Sequence, residues 1–316
     1  MTQEPRRAIA TSSEQGFVII AVLWILIAMS ALATIFSVYL SNSAQALAVT
    51  DTGLQTEALV SASLELTTYQ LLLADDKARP AQGSFRFRLD NAEVLVTFAS
   101  EAARIDLNFA SKEMLANLFA VLGATEKVAM ESADRIVGWR TRPADNTANE
   151  EEALYGAAGL TYSPRQSFFT HVNELSLVLG VPPELVDRAL PFVTVFSGSS
   201  DVDVLTAAPE VIAALPGMTP SALSDFLKQR PALSRDQAAI AAALGPARAS
   251  ATIPKSKSFR ILTTVRYDNG RRTSSEVVLA LGEDREKDKD PYQVLSWQDD
   301  VEAGHGPQKP ASGRQP

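Results

Sequence analysis

Residues 16–40 read GFVIIAVLWILIAMSALATIFSVYL. No side chain from Gln15 to Thr50 carries a charge, and the core of the stretch, Phe17 to Leu40, is long enough to cross a bilayer. A helix rises about 1.5 Å per residue, so roughly 20 residues span a hydrocarbon layer about 30 Å thick. A short polar leader with Arg6 and Arg7 precedes it, and most of the remaining chain is soluble in character. The chain therefore reads as one N-terminal anchor carrying a large water-exposed part. A secretory signal has an apolar region of only about 7–15 residues. Ala46-Leu47-Ala48 would supply a cleavage site for one, but the run before it is too long. A plain signal anchor, or a leader cut at the Gly16-Phe17 junction itself, are the two other readings.

The helical pattern continues past the membrane. Leu59, Ala62, Leu66, Tyr69 and Leu73 recur at spacings of three and four and share one helical face. A single helix from Phe17 to about Leu73 is expected, with Gly53 as its weak point near the membrane surface. Strands come next. Phe85, Phe87 and Leu89 alternate with Arg86, Arg88 and Asp90, and Val94, Val96 and Phe98 with Leu95 and Thr97, with Asp90-Asn91 as the turn between the two runs. The signal returns at Phe259, Ile261, Thr263, Val265 and Tyr267, then Asp268-Asn269-Gly270, then Val277 and Leu279. Asn-Gly between two alternating runs is a strong hairpin signal. The two hairpins are expected to form one sheet on the long helix.

Between the hairpins, Ser111–Leu122, Glu126–Arg140, Val172–Leu179, Pro183–Leu190, Ala208–Leu215 and Pro220–Lys228 show helical spacing or start signals. The expected fold class is α+β: a long N-terminal transmembrane and spine helix on a small antiparallel sheet, with a large all-helical insertion. The expected divisions are a leader over 1–16, a transmembrane helix over 17–40 and the rest of the spine helix over 41–75. The sheet would come from 76–103 and 251–282 and the inserted block from 104–250, leaving 283–316 as a disordered tail apart from a short strand at Tyr292–Trp297. The block contains an internal repeat. Ile105-Asp106-Leu107-Asn108-Phe109-Ala110-Ser111 and Val202-Asp203-Val204-Leu205-Thr206-Ala207-Ala208 each lead into a helix that stops near a glycine. The pattern resembles helix-hairpin-helix units, whose DNA-binding versions grip a phosphate with hairpin amides. In a chain of net charge −8 the packing role is favoured over nucleic-acid binding.

There is no cysteine, which excludes a disulfide scaffold and thiolate chemistry. His171 and His305 lie far apart, and no hydrolase, zinc-protease or phosphate-loop motif is present, so no enzyme is expected. The one chemically suggestive stretch is Asp145-Asn146-Thr147-Ala148-Asn149-Glu150-Glu151-Glu152. Carboxylates and amide oxygens in a loop suit calcium, which takes six to eight oxygens. Asp145, Asn149, Glu150, Glu151 and Glu152 are the candidate ligands; the competing reading is a solvated loop whose glutamates open the next helix.

A polar leader ending in Gly16, then Phe17 and an unbroken apolar helix, resembles a type IV prepilin or pseudopilin. Most members carry a Glu at the fifth residue after the cut; here it is Ala21. The missing Glu, the IDLNFA entry, Ile136-Val137-Gly138-Trp139, Val172-Asn173-Glu174-Leu175 and Ala214-Leu215-Pro216-Gly217 together resemble the type II secretion minor pseudopilin K family. The resemblance implies a peptidase cut after Gly16, N-methylation of Phe17, and an inner-membrane protein with its large domain in the periplasm. It implies a tip position marked by Ala21, and as partners the I and J minor pseudopilins, the major pseudopilin, the prepilin peptidase and the inner-membrane secretion platform. Relatives also bind calcium in an acidic loop. Their usual W-x-D-x-D-D run appears here as Trp139-Arg140-Thr141-Arg142-Pro143-Ala144-Asp145, with two early carboxylates missing. A membrane-anchored periplasmic binding module and a DNA-uptake pilus component are the alternatives.

Overall fold

Long helix, hairpin, helices, hairpin: the expected order is the order found in the computed structural model. It describes residues 14–75, 78–143, 149–251, 257–282, 290–299 and 301, with the backbone alone at 14–18, 44–52 and 248–250. Helix α1 (Glu14–Leu73) is followed by strands β1 (Gln82–Leu89) and β2 (Ala92–Ser100). The inserted block contains β3 (Ile105–Asp106), α2 (Lys112–Val121), α3 (Glu126–Arg140), α4 (Glu150–Ala157), α5 (Pro183–Ala189), β4 (Val193–Thr194), α6 (Pro209–Ala213), α7 (Pro220–Gln229) and α8 (Gln237–Leu244). Strands β5 (Ser258–Tyr267), β6 (Arg272–Leu281) and β7 (Tyr292–Asp299) close the sequence of elements. The chain divides into two compact units, Met1–Ala58 and Leu59–Pro316, and α1 contributes to both. In the first unit Ile19–Ser43 is long and apolar enough to cross a membrane. Gly53 is helical like its neighbours.

In the second unit the sheet runs β1-β2-β5-β6-β7, antiparallel throughout. Both turns form where the sequence signals them. Leu89 pairs with Ala92 around Asp90, which takes a φ of 52°, and Gly270 turns the second hairpin with a φ of 87°. Val94, Val96, Ile261, Val265, Val277 and Leu279 form one buried face with Leu59, Val60, Leu64 and Leu71 of α1.

That helical face is not the expected one. Leu66, Tyr69 and Leu73 are exposed at 40%, 63% and 66%, while Ser63, Thr67 and Thr68 are buried. The Ser63 hydroxyl donates to the Leu59 carbonyl at 2.8 Å and Thr67 to Ser63 at 2.7 Å. A hydroxyl bonded to its own helix needs no water, so Ser63 and Thr67 pack closely against the sheet, while the buried Thr68 hydroxyl has no hydrogen-bond partner among the described residues. The strand expected at Tyr292–Trp297 forms and runs two residues further. Within 283–316, Tyr292–Asp299 is a full fifth strand on β6, and the Tyr292 hydroxyl donates to Glu65 of α1 at 3.0 Å.

The block has its own core, from Ile105 and Leu118 to Phe226 and Leu244. Val172–Leu177 is a 3-10 turn rather than an α-helix, because Gly180 (φ 77°) and Pro182 leave it no room to extend. A short parallel pair, β3 with β4, and helix α8 had no expected counterpart. The internal repeat is structural as well as sequential. Asp106 accepts from the Asn108 amide at 2.8 Å, and Asp203 from the Leu205 amide at 3.1 Å. Thr125 and Thr219 cap the second helix of each copy, after Gly123 and Gly217. That helix ends in an arginine that reaches back to the entry turn: Arg140 to the Ala110 carbonyl and Arg230 to the Ala207 carbonyl, both at 2.7 Å.

Candidate functional site

Three places bear on function: the start of α1, the acidic end of α4, and the point where the chain leaves the sheet. Gly16 and Phe17 lie in the first turn of α1 as backbone; the leader before Glu14 falls outside the described residues. Ala21 is half-buried, and from Ile19 to Leu40 the large apolar side chains are exposed, Trp24 at 69%. Such a surface is stable only in lipid or against other apolar helices.

At the acidic stretch Asp145 lies outside the described residues. Asn149 is the N-cap of α4: its side-chain oxygen accepts from the Glu152 amide at 3.1 Å, and its amide nitrogen donates to the Glu152 carboxylate at 2.7 Å. The Ser163 hydroxyl donates to the other Glu152 oxygen at 3.3 Å. Asn149 thus caps the helix and is itself held by the Glu152 carboxylate three residues on. Glu151 turns the other way, to Arg135 at 2.7 Å, and settles over α3 at Gly138, where an added Cβ would come within 2.5 Å of the carboxylate. Burial pushes the Glu151 carboxyl up, Arg135 opposes this, and nearby Asp134 adds to it. Glu150 is exposed. Among the described residues these oxygens do not converge on one point, and no group of three His, Cys, Asp or Glu could hold a metal ion. Arg140, in the run that precedes the acidic stretch, is committed to the Leu107 and Ala110 carbonyls.

In the helix-hairpin-helix pattern Lys228 is the first base after the hairpin that follows α6. Lys228 of α7 pairs with Asp225 at 3.6 Å.

The third place was not expected. At the end of β2 the chain enters a 3-10 turn, Glu101–Ala103, capped by Ser100. The Glu101 side chain is fully buried. Arg260 of β5 grips it with two nitrogens, Nε to Oε1 at 2.8 Å and Nη2 to Oε2 at 3.1 Å. Arg104 donates to Oε1 at 2.6 Å, and the Thr194 hydroxyl of β4 donates to Oε2. Arg260 also reaches Glu276 of β6 at 2.6 Å, and Arg104 the Pro191 carbonyl at 3.0 Å. Burial alone would raise the Glu101 carboxyl; Arg260 and Arg104 outweigh it and hold it at about 2. The sequence offers only Glu101 and Arg104 three residues apart, and nothing in it relates them to Arg260, 159 residues from Glu101.

Residues 91–198 match the family described as Type II secretion system (T2SS), protein K. No curated protein matches the chain. Among solved structures it is similar to a chain of the GspK-GspI-GspJ complex from the type 2 secretion system of enterotoxigenic Escherichia coli. The two share 16% identity at a TM-score of 0.60, over 78% of this chain and 96% of that one. At such identity the likeness shows the fold, while the family match comes from the sequence of the block and the strand before it. The resemblance to this family is therefore borne out: the chain carries a type II secretion protein K domain on an α+β pseudopilin fold.

Proposed function

We propose that this chain, a minor pseudopilin component of a type II secretion system, caps and initiates the tip of the pseudopilus. There it would serve the export of folded proteins across the outer membrane. In this reading a prepilin peptidase cuts after Gly16, Phe17 becomes an N-methylated terminus, and α1 anchors the protein in the inner membrane with the large domain in the periplasm. The role is structural, with no catalytic residue.

The observation that carries the proposal is the spine. It offers an uncharged exposed span from Ile19 to Leu40, and Leu66, Tyr69 and Leu73 remain exposed on its membrane-distal end. Helices of other pseudopilins could pack on both stretches through van der Waals contact. The partners proposed are the I and J minor pseudopilins, whose counterparts GspI and GspJ share the solved complex, with the major pseudopilin and the inner-membrane platform beyond them. Ala21 supports the terminal position. A carboxylate in lipid is costly without a partner, and a subunit with nothing above it has no neighbouring amine to pair.

The test is Ala21→Glu in cells that secrete through this system. Secretion should stay largely intact; a strong dominant block would overturn the terminal position. The mass of the membrane-extracted protein tests the processing: a peptidase-dependent start at Phe17 is expected, against an uncut chain or a cut after Ala48. Calcium at Asp145, Asn149, Glu150, Glu151 and Glu152 remains a proposal of the same reading. Binding would draw Glu152 away from Asn149 and Ser163, so only a weak, millimolar-range thermal shift on adding calcium is expected.

A further inference from the structure

The second unit has two hydrophobic cores that share no residue, one between α1 and the sheet and one inside the helical block. What joins them around the exit from β2 is polar. The Glu101 carboxylate touches three separate pieces of chain: β5 through Arg260, the exit turn through Arg104, and β4 through Thr194. Beside it the Asp203 amide donates to the Ala102 carbonyl at 2.8 Å, tying in the second copy of the repeat. Farther out the Gln298 side chain of β7 meets His171 at 2.9 Å.

A buried ionic junction is a poor adhesive, because removing the charges from water costs about as much as their attraction returns. Its strength is directional. A bidentate guanidinium–carboxylate pair tolerates one relative placement of its two halves, whereas an apolar contact can slide. We propose that Glu101 is the positioning residue of this protein: its carboxylate, clamped by Arg260, Arg104 and Thr194, locks the helical block onto the sheet in a single orientation. The clamp sits where the chain passes from sheet to block, so a small rotation there would swing the whole block. The inference rests on the reading of the block as the cap of the tip, whose fit depends on where it points.

The test uses the full chain in detergent with two spin labels. The native sequence has no cysteine, so R88C on the sheet and K228C on the block take the labels uniquely; both native side chains are exposed. The expected result is one narrow distance distribution in the otherwise native chain and a clearly broadened one in Glu101→Ala. Amides at Leu118 in the block and Val265 in the sheet should keep their hydrogen-exchange protection. A distribution as narrow and as centred as the native one overturns the clamp. If Glu101→Ala loses protection in both cores, Glu101→Gln decides, since it keeps the side chain's size and removes its charge: broadening supports the clamp and a native distribution overturns it. Secretion separates this inference from the one it rests on. Broadening with loss of secretion supports both, and broadening with intact secretion keeps the clamp and sinks the cap. An unchanged distribution sinks the clamp whatever secretion does.

Discussion

Glu101 and Glu151 are both carboxylates drawn out of water beside an arginine, yet their proton affinities shift in opposite directions. Glu101 is fully buried and is held at about 2. Glu151 keeps 14% of its side chain exposed, and its carboxyl is pushed above the ordinary range. Depth of burial therefore does not decide the outcome; the partners per oxygen do. Both Glu101 oxygens receive two donors from Arg260, Arg104 and Thr194. Glu151 meets one guanidinium through Oε2, its Oε1 has no hydrogen-bond donor among the described residues, and Asp134 adds a like charge. The first site is an ionic junction between parts of the fold. The second is a helix-start carboxylate folded back over a neighbouring helix.

The sharpest way to break the contrast is Glu101→Ala. It strands Arg104 and Arg260 in the interior and should cost about 3–5 kcal/mol in urea unfolding. The same substitution of Glu151 should cost far less.

Acid probes the contrast without mutation. The folded value of Glu101 lies below its ordinary 4.5. Its contribution is therefore present above 4.5 and lost as pH falls toward about 2. At 1.36 kcal/mol per pH unit, the interval from 4.5 to about 2 corresponds to about 3 kcal/mol. Unfolding curves at neutral pH, pH 4.5 and pH 3 should show the loss, and Glu101→Gln should flatten it.

Gly138→Ala tests the second site. The new Cβ meets the Glu151 carboxylate, which must swing off α3; the end of a flexible side chain moves at little cost, and Ala favours a helix interior over Gly by about 1 kcal/mol, so a net change of no more than about 1 kcal/mol is expected in urea unfolding. A loss of several kcal/mol would mean that Glu151 is held rigidly over α3.

The smallest effect is that of Glu151→Gln. A raised folded value means the folded state holds its proton longer, so this residue makes the chain more stable as pH falls from neutral toward 4.5. Glu151→Gln should erase that component and leave the acid loss due to Glu101 in place.

Much of this architecture is legible in the sequence because it is local. The hairpin turns at Asp90-Asn91 and Asp268–Gly270 join strands adjacent in the chain, and their register follows from the turn itself. Helices α2, α3 and α7 start at Ser111, Thr125 and Thr219, whose hydroxyls accept from amides three residues on. The acidic stretch was legible as the opening of α4, although its glutamates point to different partners. The buried stripe of α1 was misread, because a pattern of large apolar residues ignores hydroxyls that satisfy themselves on the helix. Ser63 and Thr67 count as polar in sequence and as small packing residues in the fold.

Residue order alone dictates the uncharged span after Gly16, the two hairpins, the helical content of the insertion and its repeat. Each rests on contacts within a few residues or on a composition that leaves one solvent open to it. Long-range packing settles the rest: which face of α1 meets the sheet, that Tyr292–Asp299 joins as a fifth strand, that Ile105 pairs with Val193, and that Glu101 meets Arg260. Those contacts link residues far apart in the chain, and no periodicity encodes them. They exist because burying two separate cores brings the ends of the insertion together, where charges taken out of water must find partners or be lost.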